Sequence, residues 1–263
     1  MKERIHAARF FLRVYLFYME NLTYRGCKFY CPKSRTELID FAMENNLALI
    51  AINSGKLRTQ STAIKKFISV NCGYPDGLGA VWASKLIGGQ QTEKMPGCEL
   101  WLDIVHRFCD KKRFYVVGAS PAVNLVVVNR LRADFPAIEI VGARDGFFSD
   151  EAEEISVIQD MVSAEPDFVF VAMGSPKQEE FIFAANRQWP AVYLGLGGSF
   201  DVYAGKTSRA PGWLVKMGLE WCYRVVNDPT KLRRMILDSM FVFVLIFDFL
   251  LLKLNIKSSR IQK

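Results

Sequence analysis

The chain has 263 residues, 51% of them hydrophobic and 23% charged, with a formal net charge of +7 and a pI near 9.1. That composition excludes long disorder and suffices for one domain of ordinary to large size with an appended tail. The positive balance favours an anionic partner such as a nucleotide, a diphosphate or an acidic bilayer, while no recognition helix or RNP-type stacking motif supports a nucleic acid.

Residues 1–21 are expected to form an amphipathic N-terminal helix. Arg9 and Arg13 share one face of it beside Phe10, Phe11, Tyr15 and Leu16. Charges interrupt this stretch too often for a signal peptide, so it either lies on a bilayer or covers the domain. Among the six cysteines only Cys27 and Cys31 are close enough to suggest a metal pair. Reduced thiols in a reducing compartment are the simpler reading. His6 and His106 are too far apart in sequence to complete an evident metal motif; no metal is expected, and no cofactor is expected either.

Residues 22–208 are expected to form one core. Short apolar runs recur, each followed by a turn cluster and a helix-like stretch: "NLALIAINSGK" ending at Asn53, "RFYVVGASPA" at Gly118, "IEIVGARDGFF" near Gly142, "DFVFVAMGSPKQ" at Gly174 and "AVYLGLGGSFD" at Gly197. Amphipathic segments lie between them, among them "DEAEEISVIQDMVSA" with Ile155, Ile158, Met161 and Val162 at helical spacing. The alternation predicts an α/β fold, Rossmann-like, with a mainly parallel sheet and helices on both faces. Ligands of such sheets gather at the carboxyl ends of the strands. Three polar turns, Gly118–Ser120, Gly174–Gln178 and Gly197–Ser199, would emerge at that edge. In the second of these, Ser175 can cap a helix that Pro176 opens, with Gln178 three residues later, and a helix start offers backbone N–H groups to an anion. "GLGGSF" is not a dinucleotide fingerprint, and no P-loop is present.

Residues 209–263 are expected to form a basic and apolar, helical, membrane-associating appendage. The stretch 235–254 is the most apolar of the chain and is interrupted by Asp238 and Asp248. Lys231, Arg233 and Arg234 precede it, and Lys253, Lys257, Arg260 and Lys263 follow or close it. A helix lying in the bilayer interface accounts for both features. A helix packed on the domain or on another subunit is the competing reading, and a true span would place two acids in hydrocarbon.

"YPDGLGAVW", "MGSPKQEEF" and "GLGGSFDVYAGKTSRAPGWLVKMGLEWCYRVVNDP" resemble the WecG/TagA/CpsF family of bacterial glycosyltransferases, in order from about Asn46 to Arg234. The resemblance implies an inverting, metal-independent enzyme at the cytoplasmic face of the inner membrane, peripheral or monotopic. Such an enzyme moves a hexose from a UDP-sugar to an undecaprenyl-diphosphate-linked saccharide. An N-acetylmannosamine-type donor ranks first. Glucosyl transfer in an exopolysaccharide repeat is the alternative, and a non-catalytic membrane scaffold a distant one. Asp76 matches the family's proposed base, which takes the proton of the attacking hydroxyl. Asn53, Lys94, Ser175, Gln178, Gly197, Gly198 and Asp201 make up the expected donor site. Arg209, Arg224, Arg233 and Arg234 are expected to hold the acceptor diphosphate. Two departures stand out. Lys94 occupies a position where the family usually has arginine, which keeps the charge and loses the bidentate fork. Phe147 stands where tyrosine is frequent. The anionic membrane surface is a further expected partner, and a homo-oligomer is left open.

Overall fold

The structure, a computed structural model, describes residues 19, 21–58, 61–86, 94–208, 210, 211, 214, 223, 232–254 and 261–262. The predicted N-terminal helix lies outside these residues except at its end, where Asn21 already belongs to a strand.

Strands β1 (Asn21–Tyr24) and β2 (Cys27–Tyr30) form an antiparallel hairpin. Its two turn residues, Arg25 and Gly26, both have positive φ, 53° and 77°, as the tightest hairpin turns require. Then follow α1 (Arg35–Asn45), β3 (Leu49–Ile52), α2 (Ser54–Arg58), α3 (Thr62–Ser69), β4 (Cys72–Pro75), α4 (Leu78–Leu86) and α5 (Gly97–Phe108). The second half continues with β5 (Arg113–Gly118), α6 (Pro121–Asp134), β6 (Glu139–Arg144), α7 (Glu151–Ala164), β7 (Phe168–Ala172), α8 (Lys177–Asn186), β8 (Val192–Gly195) and α9 (Ser199–Tyr203). The last described elements are α10 (Leu232–Lys253) and β9 (Ile261–Gln262), the latter paired with β1.

Six strands form one sheet in the order β4-β3-β8-β7-β5-β6, parallel throughout. Side chains alternate across it because successive Cβ atoms of a strand point to opposite faces. Ile50, Tyr115, Val117, Val169, Val171 and Tyr193 enter one core with residues of α3, α7 and α8. Phe114, Val116, Phe168, Phe170, Val192 and Leu194 enter the other with α1, α5 and α6. Both faces are thus covered by helices, as long apolar strands in a parallel sheet demand.

The sequence reading of this core needs four corrections. β4 was not among the predicted strands, because "CGYP" is short and carries a glycine and a proline. β6 continues two residues past Gly142, where the Tyr115 ring lies 2.2 Å from the place a β-carbon would take. In α7 it is Val157, with Ile158 and Met161, that is buried, and Ile155 is exposed. Ser175 does not cap α8. Pro176 stands at the cap position without a side-chain bond, and the amides of Gln178, Glu179 and Glu180 donate to the carbonyls of Gly174 and Pro176. Those amides are therefore occupied within the turn.

Within the C-terminal stretch the described helix, α10, packs on the body and does not stand apart from it. α10 lies against α4 and α2, burying Phe241, Leu245 and Asp248 at spacings of four and three. Asp248 does not interrupt an apolar helix to no purpose. Its Oδ2 accepts a hydrogen bond of 2.6 Å from the Tyr24 hydroxyl, with both groups buried. Burial, reinforced by Asp248, pushes the Tyr24 phenol far up, so it stays a donor. The Arg25 guanidinium lies 5.8 Å from the centre of the Phe241 ring. The opposite face of α10 carries Ile236, Met240, Phe243, Phe247, Leu250 and Leu254, all exposed. Among the described residues no helix is long and apolar enough to cross a membrane.

Candidate active site

Strand ends and the turns that follow them build the site, since every strand of the large sheet points its carboxyl end to the same edge. Asn53 follows β3. Its backbone carbonyl accepts from Leu57 N at 3.0 Å and its Oδ1 from Lys56 N at 3.2 Å, so the side chain caps α2. Asp76 follows β4, and its amide donates to Ile52 O at 3.0 Å. Gly77 comes next, and a β-carbon there would sit 3.9 Å from that of Asn53. These two sequence-predicted residues are therefore neighbours.

The Asp76 carboxylate is oriented from a third direction. Gly97 N, at the start of α5, donates to Asp76 Oδ1 at 2.8 Å. The segment leading there is tied to β4 by Met95 N donating to Pro75 O at 2.9 Å, which carries half-buried Lys94 past the carboxyl end of that strand. Below lies Tyr74, fully buried, with a hydroxyl that has no partner among the described residues. Burial pushes its phenol well above the ordinary value, and the nearby Asp76 charge adds to this. Tyr74 thus stays protonated beside the carboxylate.

Gln178 and Gly197 also meet. Gln178 is buried, its Oε1 accepts from Gly197 N at 2.9 Å, and its Nε2 donates to Glu179 Oε1 at 3.0 Å. It spans from α8 to the β8–α9 turn and fixes the path of Gly197–Gly198. The third turn is locked into the same edge. Gly118 has φ +124°, and a β-carbon there would lie 2.4 Å from Ala172 O, so only glycine fits. Ala119 N donates to Ala172 O at 2.7 Å and Gly146 N to Ala119 O at 2.9 Å. Lys177 Nζ donates to Gly146 O at 2.8 Å and lies 5.0 Å from the Phe148 ring centre.

The other predicted residues fare differently. Ser175 is exposed on the rim. Asp201 is held in a local turn, paired with Lys206 Nζ at 3.3 Å while its carbonyl accepts from Thr207 N. Arg209 and Arg224 lie outside the described residues, and of Arg233 and Arg234 the structure describes only their place in the first turn of α10. Phe147 is largely exposed next to the β5 and β7 turns. Cys27 and Cys31 do not face a common centre: the first thiol donates to Lys56 O and the second meets Ser84 Oγ.

Sequence reasoning passed over Lys56, whose Nζ lies 3.0 Å from Glu179 Oε1 with both side chains buried. No local spacing announces a pair drawn from two helices so far apart in the chain. Gly97 was within view, in "EKMPGCEL", but only the fold brings its amide to Asp76.

A parallel α/β sheet with an oriented carboxylate, an amide-braced turn and lysines along its carboxyl edge defines the class: a binding or transfer site for a small polar molecule. Residues 36–255 match the family described as Glycosyl transferase WecG/TagA/CpsF family, and the chain belongs to that family. Two relatives bear the name N-acetylglucosaminyldiphosphoundecaprenol N-acetyl-beta-D-mannosaminyltransferase. The one from Bacillus spizizenii is 41% identical over 164 residues, covering 62% of this chain and 63% of the relative. The one from Bacillus subtilis is 37% identical over 172 residues, covering 64% and 65%. The chain thus spans just under two thirds of the length of the curated relatives it matches.

Proposed function

We propose that the protein is an inverting hexosyltransferase that moves an N-acetylmannosamine-type group from a UDP-sugar to an undecaprenyl-diphosphate-linked saccharide. The observation that carries this reading is the Asp76 carboxylate, held by the Gly97 amide beside Asn53 at the carboxyl edge of the sheet, in a chain of this family. The acceptor hydroxyl oxygen attacks the anomeric carbon as its proton passes to Asp76. The bond from that carbon to the diphosphate breaks at the same time, and its electron pair leaves with UDP. Lys94 and the backbone of the Gly197–Gly198 turn offset the charge that develops on the leaving group. Gln178 acts through Gly197, whose amide it holds. Ser175 lies on the rim of the donor site, and Asp201 shapes the turn that follows it.

The test incubates detergent-purified protein with undecaprenyl-diphosphate-linked N-acetylglucosamine and a panel of UDP-sugars in EDTA. The expected result is one N-acetylhexosamine added from UDP-N-acetylmannosamine, with stoichiometric UDP. A hexose added from UDP-glucose would favour the glucosyl reading. Absence of both turnover and UDP binding would overturn the proposal.

The same reading places the protein peripherally at the cytoplasmic face of the inner membrane, seated through the outer face of α10. Phe243 and Phe247 are 72% and 55% exposed on that face, and basic residues stand at both ends of the helix. Arg209, Arg224, Arg233 and Arg234 are then the candidates for the acceptor diphosphate. Burying each phenylalanine in a bilayer interface contributes up to about 1.5–3 kcal/mol. The double variant Phe243→Glu/Phe247→Glu should therefore lower partition to anionic vesicles about tenfold or more without altering the melting temperature. Unchanged sedimentation with vesicles would locate the membrane contact elsewhere.

A further inference from the structure

Beneath the carboxyl edge, between α2 and α8, lies a small group of buried polar side chains that the transfer chemistry does not use directly. Lys56 is 6% exposed and Glu179 3%. Lys56 Nζ lies 3.0 Å from Glu179 Oε1, and the same oxygen accepts from Gln178 Nε2 at 3.0 Å. Gln178 Oε1 in turn accepts from Gly197 N. The second oxygen of Glu179 is buried and has no partner among the described residues. The chain of contacts runs Lys56, Glu179, Gln178, Gly197, from the helix that Asn53 caps to the turn after β8.

We infer that Lys56 and Glu179 are a charge-compensated positioning pair for the UDP-sugar: Glu179 orients Gln178 and so the Gly197 turn, and Lys56 cancels the carboxylate charge that would otherwise face the diphosphate. This rests on the donor-site reading above. Two physical points support it. Among the described residues Lys56 is the cation that meets the buried Glu179 carboxylate, and a buried charge left without its partner is costly. The lysine-paired carboxylate is also a strong acceptor for the Gln178 amide, since hydrogen bonds to charged groups are the stronger ones. That bond selects which end of the Gln178 amide faces Gly197: with Nε2 turned to Glu179, Oε1 is left to accept the glycine N–H. A flipped amide would set two donors against each other. The pair therefore decides a donor-acceptor pattern at Gly197, two contacts along the chain of bonds from Glu179.

A purely structural brace and a charge-compensating pair differ in what a neutral replacement restores. Wild type, Lys56→Met and the double variant Lys56→Met/Glu179→Gln are compared in donor KM, kcat, melting temperature and UDP affinity by calorimetry. Lys56→Met should raise donor KM and UDP Kd about tenfold or more, the scale of one uncompensated charge near a diphosphate at an effective protein dielectric. Its kcat should stay within about threefold, because the loss is one of binding common to ground and transition states. The double variant should return KM and Kd to within about threefold of wild type, since the amide introduced by Glu179→Gln keeps an acceptor for Gln178 and carries no charge. Should Lys56→Met fail to fold, the double variant alone bears the test: folded and binding UDP, it supports the pair. Unchanged KM and Kd in folded Lys56→Met would overturn the inference. So would a double variant that regains its melting temperature but not its UDP affinity. If wild type itself binds no UDP, the donor-site reading fails first and takes this inference with it.

Discussion

Asp76→Asn is expected to leave the chain folded and to lower turnover about 10²–10⁴-fold, the range by which a positioned general base contributes. The substitution is a clean one here. Gly97 N donates to Asp76 Oδ1, and an asparagine Oδ1 accepts the same bond, so the junction of β4 and α5 keeps its geometry. What disappears is the ability to take a proton. Donor KM should change little, because the loss falls on an interaction made while the acceptor hydroxyl is being deprotonated. Steady-state kinetics with a thermal melt of the same preparation decide the matter. A folded variant with near-normal turnover would remove Asp76 from the role.

Trp101→Ala should destabilise the protein by about 3–5 kcal/mol, the cost of truncating a buried tryptophan. Trp101 is 1% exposed at the middle of α5. Its ring meets Phe170 at 5.5 Å, Phe200 at 5.6 Å and Tyr203 at 5.0 Å between centroids, the first and last edge-on. These three partners come from β7 and α9, so one ring ties the helix that begins at Gly97 to the strand that leads to Gly174 and to the segment after Gly198. Denaturant unfolding measures the loss. Because the cavity lies between α5 and α9, the surviving folded fraction should also show weaker donor binding. A loss below about 1 kcal/mol would mean that neighbouring side chains collapse into the space.

Five of the six parallel strands were legible because each is an apolar run closed by a turn cluster, a signal that fully buried strands carry on their own. β4 was hidden by its composition, since Gly73 and Pro75 depress strand propensity. An edge strand that among the described residues pairs with β3 alone tolerates a proline at its end. The β1–β2 hairpin was masked by the apolar residues before it, although "TYRGCK" holds the two-residue turn. At the site, Asn53 and Gln178 could be named from their positions after apolar runs and from the family resemblance, and Asp76 from the resemblance alone. The role of Gln178 could not, because it depends on a glycine amide on another strand and a lysine on another helix. Ser175 was misjudged as a cap for a related reason: local spacing favours the capping pattern, and the long-range bond to Gly197 draws Gln178 away from it.

α10 is apolar nearly all the way around, so hydrophobicity by itself does not choose which side of it faces the protein. Rotating the helix by one residue, about 100°, would exchange Asp248 for Phe247 at the inner face at little apparent loss of apolar contact. The Tyr24–Asp248 hydrogen bond breaks this degeneracy. In any other orientation a carboxylate would leave its phenol, and the buried Tyr24 hydroxyl would lack its acceptor, at about 1–3 kcal/mol. One acid in an oily helix thus works as an angular key. It dictates that Phe243 and Phe247, and not Phe241 and Leu245, are the residues the protein shows to its surroundings.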